Sequence, residues 1–246
     1  MGLSRTLHID EIALKKGHSD FETIIYTETE VLETMSGKKS LSLQEVLKAI
    51  PGIGKIQEVC IDLCAPFADA IRQAIPAAEI VADRFHLIKL LNKTLETLRN
   101  KTHAELKKAK KEKRFASIRF LLFKDYQQLN RDGRRLVRDY LRLNSELKAV
   151  YWQVQAFRDI LKQKWTSRSE AAQALTEWST SARTHMEKFV KTLERWWEPI
   201  LNAFLSPLSN GRAEGVNNKI KLVKRKGFGF NNRLNFKLRI QAACNP

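Results

Sequence analysis

Cysteine is scarce in this chain: Cys60, Cys64 and Cys244 are the only three among 246 residues. An odd, low count argues against a disulfide framework and for a reducing compartment. Cys60 and Cys64 stand close together, but no second Cys or His pair at zinc spacing accompanies them. Small buried side chains are therefore the better reading than a structural zinc site. No run of 18 apolar residues exists, which argues against a transmembrane helix. The N-terminal MGLSRTLHIDE has no apolar h-region, so no signal peptide is visible. Internal repeats and low-complexity linkers are also missing. Acids are nearly absent from one end: residues 210–246 carry 9 Lys+Arg against one Asp+Glu.

What is present is positive charge, a net +17, and 43% hydrophobic residues, enough to bury a sizeable core. The charge is uneven, because residues 1–62 carry 7 Lys+Arg against 10 Asp+Glu. Such asymmetry points to a polyanion, most often nucleic acid. An acidic membrane surface is the weaker alternative, since no terminal basic segment has a strongly apolar opposite face.

Three short segments near the start read as strands: 6–14, 21–27 and 31–35. Lys15-Lys16-Gly17-His18 is a turn between the first two, and Glu28-Thr29-Glu30 turns into the third. A helix follows over 40–50, capped by Ser40 or Ser42 and stopped by Pro51-Gly52. Residues 56–61 form a fourth strand ending at Asp62. Residues 66–75 form a helix that Pro76 breaks, and 79–82 a fifth strand ending at Asp83. The order β-β-β-α-β-α-β predicts a mixed sheet with helical crossovers, an α/β pattern.

From Arg84 to about Pro207 the pattern is helical. Phe85, Ile88, Leu91, Leu95 and Leu98 form one apolar stripe. Leu147, Val150, Tyr151, Val154, Phe157 and Leu161 form another. The strongest runs from Met186 through Trp196 and Trp197 to Phe204. Lys101–Arg114 is a charge-dense run, read as a solvated face or an exposed helix–helix junction. The expected organisation is a first part of an α/β core (1–83), a helical insertion (84–207) and a returning basic helix (208–246).

The returning segment SNGRAEGVNNKIKLVKR, Ser209 to Arg225, has two opposed faces when read as a helix. At about 100° per residue, Ala213, Val216, Ile220 and Val223 share one side. Glu214, Asn217, Asn218, Lys221, Lys224 and Arg225 share the other. Taken alone this is an amphipathic helix with a solvated basic face. Two aspartates shift the balance toward a site. Asp10 lies inside the first strand, where an unpaired buried acid is costly. Asp62 ends the fourth strand, where α/β sheets place ligand-binding groups. If those strands are neighbours, Asp10 and Asp62 converge and Glu214 completes the cluster. At about 4 Å and an effective dielectric near 20, each pair of such charges repels by roughly 4 kcal/mol. A divalent cation relieves that repulsion, and all-oxygen ligation favours Mg²⁺ or Mn²⁺. Two ions about 4 Å apart suit phosphodiester chemistry.

The segments LHIDEIALKKGH, VCIDLCAPFADAIRQAIPAAEIVADRFHLIKLLN and SNGRAEGVNNKIKLVKRKGFGF resemble the DDE transposases of bacterial insertion sequences, in particular the ISL-three family. The resemblance covers nearly the whole chain. It implies an RNase H-like core with an all-α insertion before the glutamate, and a catalytic, metal-binding triad at Asp10, Asp62 and Glu214. It implies two Mg²⁺ or Mn²⁺ ions, cleavage and joining of DNA, element ends and target DNA as partners, a homo-oligomer in the DNA complex, no membrane, and a cytoplasmic, nucleoid-associated location. A non-catalytic DNA-binding remnant and a nuclease of the same fold are the alternative readings. Lys221, Lys224, Arg225, Asn217 and Asn218 would face DNA.

Asp83 and His86, in ADRFH, match a further family motif. They could orient DNA or the groups around the triad, or be an N-cap Asp beside a packed His. Trp197, with Trp196 beside it, is the candidate to stack on a DNA base, against a plain core role. Family members carry an N-terminal zinc-binding segment and a helix-turn-helix. Neither is recognisable in these residues. The expectation is a catalytic core without its sequence reader, which can be inactive on its own.

Overall fold

The computed structural model describes residues 5–14, 21–37, 39–206, 210–227, 230 and 232–245, the side chains of 210–214 excepted. The expected turn at 15–18 therefore lies outside the described residues.

The sheet-forming part begins with β1 (Thr6–Ala13), β2 (Phe21–Tyr26) and β3 (Val31–Ser36), a meander of antiparallel neighbours. Between β2 and β3, Thr27 N–H closes the turn on Glu30 O at 2.8 Å. Helix α1 (Ser40–Ala49) follows. Its N-cap is Lys39, which makes no side-chain cap bond, so neither Ser40 nor Ser42 caps it; both lie inside the first turn. Then come β4 (Glu58–Ile61), α2 (Ala65–Ala74) and β5 (Glu79–Ala82). Pro66 sits in the first turn of α2, where a missing N–H costs nothing. β4 pairs with β1 on one side and β5 on the other, both parallel. The sheet order is β3-β2-β1-β4-β5, a mixed five-stranded sheet in the α/β class implied by the element order.

Helices then run without interruption by strands: α3 (Arg84–Lys108), α4 (Ile118–Leu122), α5 (Arg131–Leu141), α6 (Ser145–Lys162) and α7 (Arg168–Arg195). The chain closes with α8 (Trp197–Leu205), α9 (Asn210–Lys226) and α10 (Arg233–Cys244). It forms two compact units, residues 1–84 with 198–246, and residues 85–197. Helix α8, read from sequence as part of the insertion, groups with the sheet from Glu198 onward.

In the first unit, α9 and α10 cover one face of the sheet. Ile12, Leu14, Ile24, Tyr26 and Val31 pack there against Val216, Ile220, Phe236, Ile240 and Cys244, with Val223 at the margin. That is the apolar side expected of the returning helix. Alternation along β1 turns Leu7 and Ile9 to the opposite face. The buried residues of α1 (Leu43, Leu47) and α2 (Phe67, Ala68, Ala70, Ile71) supply the cover on that side.

The second unit has its own core. Leu87, Leu91, Leu95 and Leu98 are the buried stripe of α3, while Phe85 is 63% exposed. The expected stripe is thus displaced at its start. Phe157, Trp178 and Phe189 pack edge to face across α6 and α7, with centroids 4.8–5.6 Å apart. Trp178 Nε1 donates to Gln153 O at 2.9 Å, so this tryptophan is core with its polar atom satisfied. No described helix is long and apolar enough to cross a membrane.

Candidate active site

Strand register brings three aspartates into one row. Ile9 is level with Ile61 across β1 and β4, and Ile61 is level with Ala82 across β4 and β5. The next residue in each case is an aspartate: Asp10 inside β1, and Asp62 and Asp83 directly after β4 and β5. Level residues on adjacent parallel strands point the same way, so the row lies on one face of the sheet. Asp83 N–H continues the ladder to Ile61 O at 2.8 Å. Asp62 and Asp83 hold carboxylate oxygens within 4.8 Å of each other. The local pattern is His-Ile-Asp, Cys-Ile-Asp and Val-Ala-Asp, two strand residues closed by an acid each time. That repeated ending is the signal by which Asp83 could have been placed with the other two.

The face is the one that α9 covers. Asn217 Nδ2 donates to Asp10 Oδ2 at 2.9 Å, and Glu11 N–H donates to Asp10 Oδ1 at 2.7 Å. Both carboxylate oxygens are thereby oriented. Asn217 Oδ1 is buried and has no hydrogen-bond partner among the described residues. Glu214 lies on α9 one turn before Asn217, and residues three apart share a helix face. Its carboxylate lies outside the described residues. Asn217, expected to face DNA, turns toward Asp10; Asn218, Lys221 and Arg225 are exposed on α9. Lys224 Nζ donates to Ala13 O, pinning α9 to the end of β1.

The acids make themselves felt on their neighbours. Burial pushes the Cys60 thiol far up, and the negative charges of Asp83, Asp62 and Asp10 push it further. Tyr26 is raised for the same reasons, burial first and Asp10 next. His8, two residues before Asp10 and stacked on Tyr26 with centroids 5.2 Å apart, is driven down by burial, against the pull of Glu28 and Asp83. On the other face, Cys64 Sγ lies 4.0 Å from Glu11 Oε1. The three cysteines are unbridged.

Arg84 directly follows the row. Its Nε donates to Ala203 O at 2.8 Å and its Nη2 to Ser206 O at 3.1 Å. It therefore caps the C-terminal end of α8. Asn202 Nδ2 donates to Ile80 O at 3.0 Å from the same helix. These bonds fix β5, and with it Asp83. His86 follows on the first turn of α3, with its ring edge-on to Phe85. Trp196 is 6% exposed, and Trp197 is half-buried.

A mixed sheet of this order, with acids ending neighbouring parallel strands and a long helical unit between the fifth strand and the last helices, is the plan of an RNase H-like transposase core. Residues 7–240 match the ISL3 family of DDE transposases, described as Transposase, and the chain belongs to that family. It is 28% identical over 249 residues to the transposase for insertion sequence element IS1001 of Bordetella parapertussis. That alignment covers 96% of this chain and 60% of the relative, so the chain spans less than two thirds of that protein's length. A shorter stretch of 54 residues is 41% identical to an ATP-dependent protease of Lactococcus lactis subsp. lactis. It covers 22% of this chain and 17% of that protein, too little to bear on the chain as a whole.

Proposed function

We propose that the chain is the catalytic core of a DNA transposase, cutting and joining DNA by metal-dependent phosphoryl transfer at Asp10, Asp62 and Glu214. The observation that carries this reading is the register that sets Ile9 level with Ile61 on neighbouring parallel strands, so that Asp10 and Asp62 follow side by side, on the sheet face covered by the helix that bears Glu214. The donor set fits a hard divalent cation, Mg²⁺ or Mn²⁺: carboxylate oxygens, plus the unpartnered buried Asn217 Oδ1, which can accept a hydrogen bond from a water on the ion. Two such ions, when bound, would activate the attacking oxygen and stabilise the leaving one.

The chain's own residues have separate tasks. Asp10, Asp62 and Glu214 are the ligands. Asn217 and the Glu11 N–H hold Asp10 in one orientation. Asp83 and His86 orient groups around the ligands, and Asp83 adds negative charge to the row. Lys221, Arg225 and Asn218 hold the DNA backbone, with Lys224 steadying the helix that presents them. Element ends and target DNA are the substrates, a homo-oligomer is the working form on DNA, and the setting is the bacterial nucleoid.

The test supplies a pre-cut element end with a free 3′-OH and a target duplex, with Mg²⁺. Asp10→Ala, Asp62→Ala and Glu214→Ala should each abolish strand transfer and lower Mn²⁺ binding in a calorimeter, with the circular dichroism spectrum unchanged. Strand transfer that survives any one substitution removes that residue from the triad. Cleavage without joining of the pre-cut end identifies a nuclease instead.

A further inference from the structure

We propose that the corner where α3 ends, from Lys107 to Lys113, is a binding surface for the phosphate backbone of duplex DNA, separate from the acid row and its basic helix. Residues 107–113 contain five lysines, Lys107, Lys108, Lys110, Lys111 and Lys113, and one acid, Glu112. All five lysines are exposed, and none forms an ion pair among the described residues. The neighbouring Arg114 is paired with Asp139. The corner belongs to the unit that carries most of the chain's charge: residues 85–197 hold 26 Lys+Arg against 12 Asp+Glu, a net +14 of the total +17.

The backbone at this corner is specific. Lys111 N–H bonds to Leu106 O at 2.9 Å and Lys110 N–H to Lys107 O at 3.1 Å, the paired bonds of a Schellman helix end. The residue at its left-handed position is Lys110, with φ 55°, the one non-glycine at positive φ among the described residues. Glycine closes this turn without strain, and a side chain there is unfavourable. Attraction to the helix C-terminus explains Lys107 and Lys108. It does not explain a lysine at the strained position, or Lys111 and Lys113 beyond it. A charged side chain at a position where glycine is easier points to a use for the charge.

The corner is also anchored in the core on both sides. Leu106 and Phe115 are buried on either side of it, and Phe115 packs on Tyr140 with centroids 5.0 Å apart. Five unpaired ammonium groups on a fixed turn suit a partner with closely spaced negative charge, and a duplex carries one about every 1.7 Å. The stretch has no exposed side chain larger than alanine that is apolar, so it lacks the anchors of a protein interface.

The test measures binding of the full chain to a random-sequence duplex by fluorescence anisotropy over a salt series. Replacing all five lysines by Gln should weaken binding and flatten the slope of log affinity against log salt, by about 0.9 for each phosphate no longer neutralised. Lys110→Gly should raise Tm and still weaken duplex binding, a pairing that a purely structural lysine cannot give. A five-Gln variant that folds and keeps the wild-type affinity and slope overturns the proposal. So does one that keeps duplex binding but no longer binds anionic phospholipid vesicles. The assay needs neither catalysis nor a metal, and it reads only the loss of affinity and slope caused by the lysine substitutions. Failure of the acid site and failure of this surface are therefore read separately.

Discussion

At the scale of single residues, the polar groups beneath Asp10 are the ones whose chemistry depends on burial. His8 is 4% exposed and its Nε2 has no hydrogen-bond partner among the described residues. Burial lowers its pKa below the ordinary 6.5, so it is neutral in the folded chain where an unfolded histidine would take up a proton. Between the unfolded value and the lower folded one, the unfolded state binds more protons. Stability therefore falls as pH drops from about 6.5, by up to about 1.4 kcal/mol per pH unit, and levels off below the folded pKa. His8→Phe keeps an aromatic ring against Tyr26 and removes both the titration and the orphaned nitrogen. Its Tm should fall less than that of the wild type between pH 7 and pH 5. Parallel Tm curves for the two proteins would show that His8 does not titrate differently on folding.

How much of this site is legible in the sequence varies residue by residue. Asp10 and Asp62 stand out because an acid amid strand formers is unusual, and β1 does pair with β4. Asp83 reads as a separate motif: its strand ends in an acid as the others do, but the crossover through α2 decides that β5 lies level with β4. Asn217 can be assigned to the polar face of α9 but not to a partner. Its helical phase faces Asp10 as readily as solvent, and only packing of Val216 and Ile220 on the sheet selects the inward direction.

Elements follow the same division. The bounds of β5 agree with the sequence reading, and those of β1 and α2 differ by a residue, because Gly, Pro and charged clusters punctuate them. The stripe on α3 differs at its start. Leu87 and Ile88 are adjacent, so either can begin a stripe with a helical period. Tertiary contact buries Leu87 and leaves Phe85 in solvent. The edge strand β3 shows what elements gain from side chains far along the chain. Asn245, the C-cap of α10, donates from Nδ2 to Val31 O at 3.0 Å and accepts at Oδ1 from Val31 N–H at 2.8 Å. One amide thus satisfies both backbone groups of a residue that is 1% exposed. Asn245→Ala leaves both unpaired, and two bonds at roughly 1 kcal/mol each give a loss of about 2 kcal/mol. Urea unfolding should show that loss, with faster exchange of the Val31 amide. A variant within about 0.5 kcal/mol of wild type would mean that water replaces the asparagine.

For the whole molecule, charge and chemistry are divided between the two units. The sheet unit is nearly balanced, with 18 Lys+Arg against 15 Asp+Glu, and it holds the acid row. Within it, residues 1–84 carry 9 Lys+Arg against 13 Asp+Glu, and residues 198–246 carry 9 against 2. A carboxylate cluster repels a phosphate chain, so cations elsewhere must bring the two together. If the chain processes DNA as proposed, the net +14 of the helical unit is the charge available for that attraction, which is screened beyond a Debye length of about 10 Å at 0.1 M salt. Counting charge by segment locates the basic excess of residues 210–246, and this larger share is open to the same counting, because the helical segment read from sequence, residues 84–207, nearly coincides with the folded unit 85–197.

The helical unit also has an independent core. Its aromatic cluster, its buried leucines and the buried Arg158, bonded to Lys124 O and Asn92 Oδ1, all lie inside residues 85–197. Expressed alone, residues 85–197 should therefore fold to a helical domain with a cooperative thermal transition. They should bind random duplex DNA with a salt slope close to that of the full chain. Circular dichroism and anisotropy titrations decide both points. A folded fragment whose slope is less than half that of the full chain would place the main phosphate contacts on the sheet unit. Attraction would then come from α9 and α10 beside the acids, and the division of labour between the units would fall.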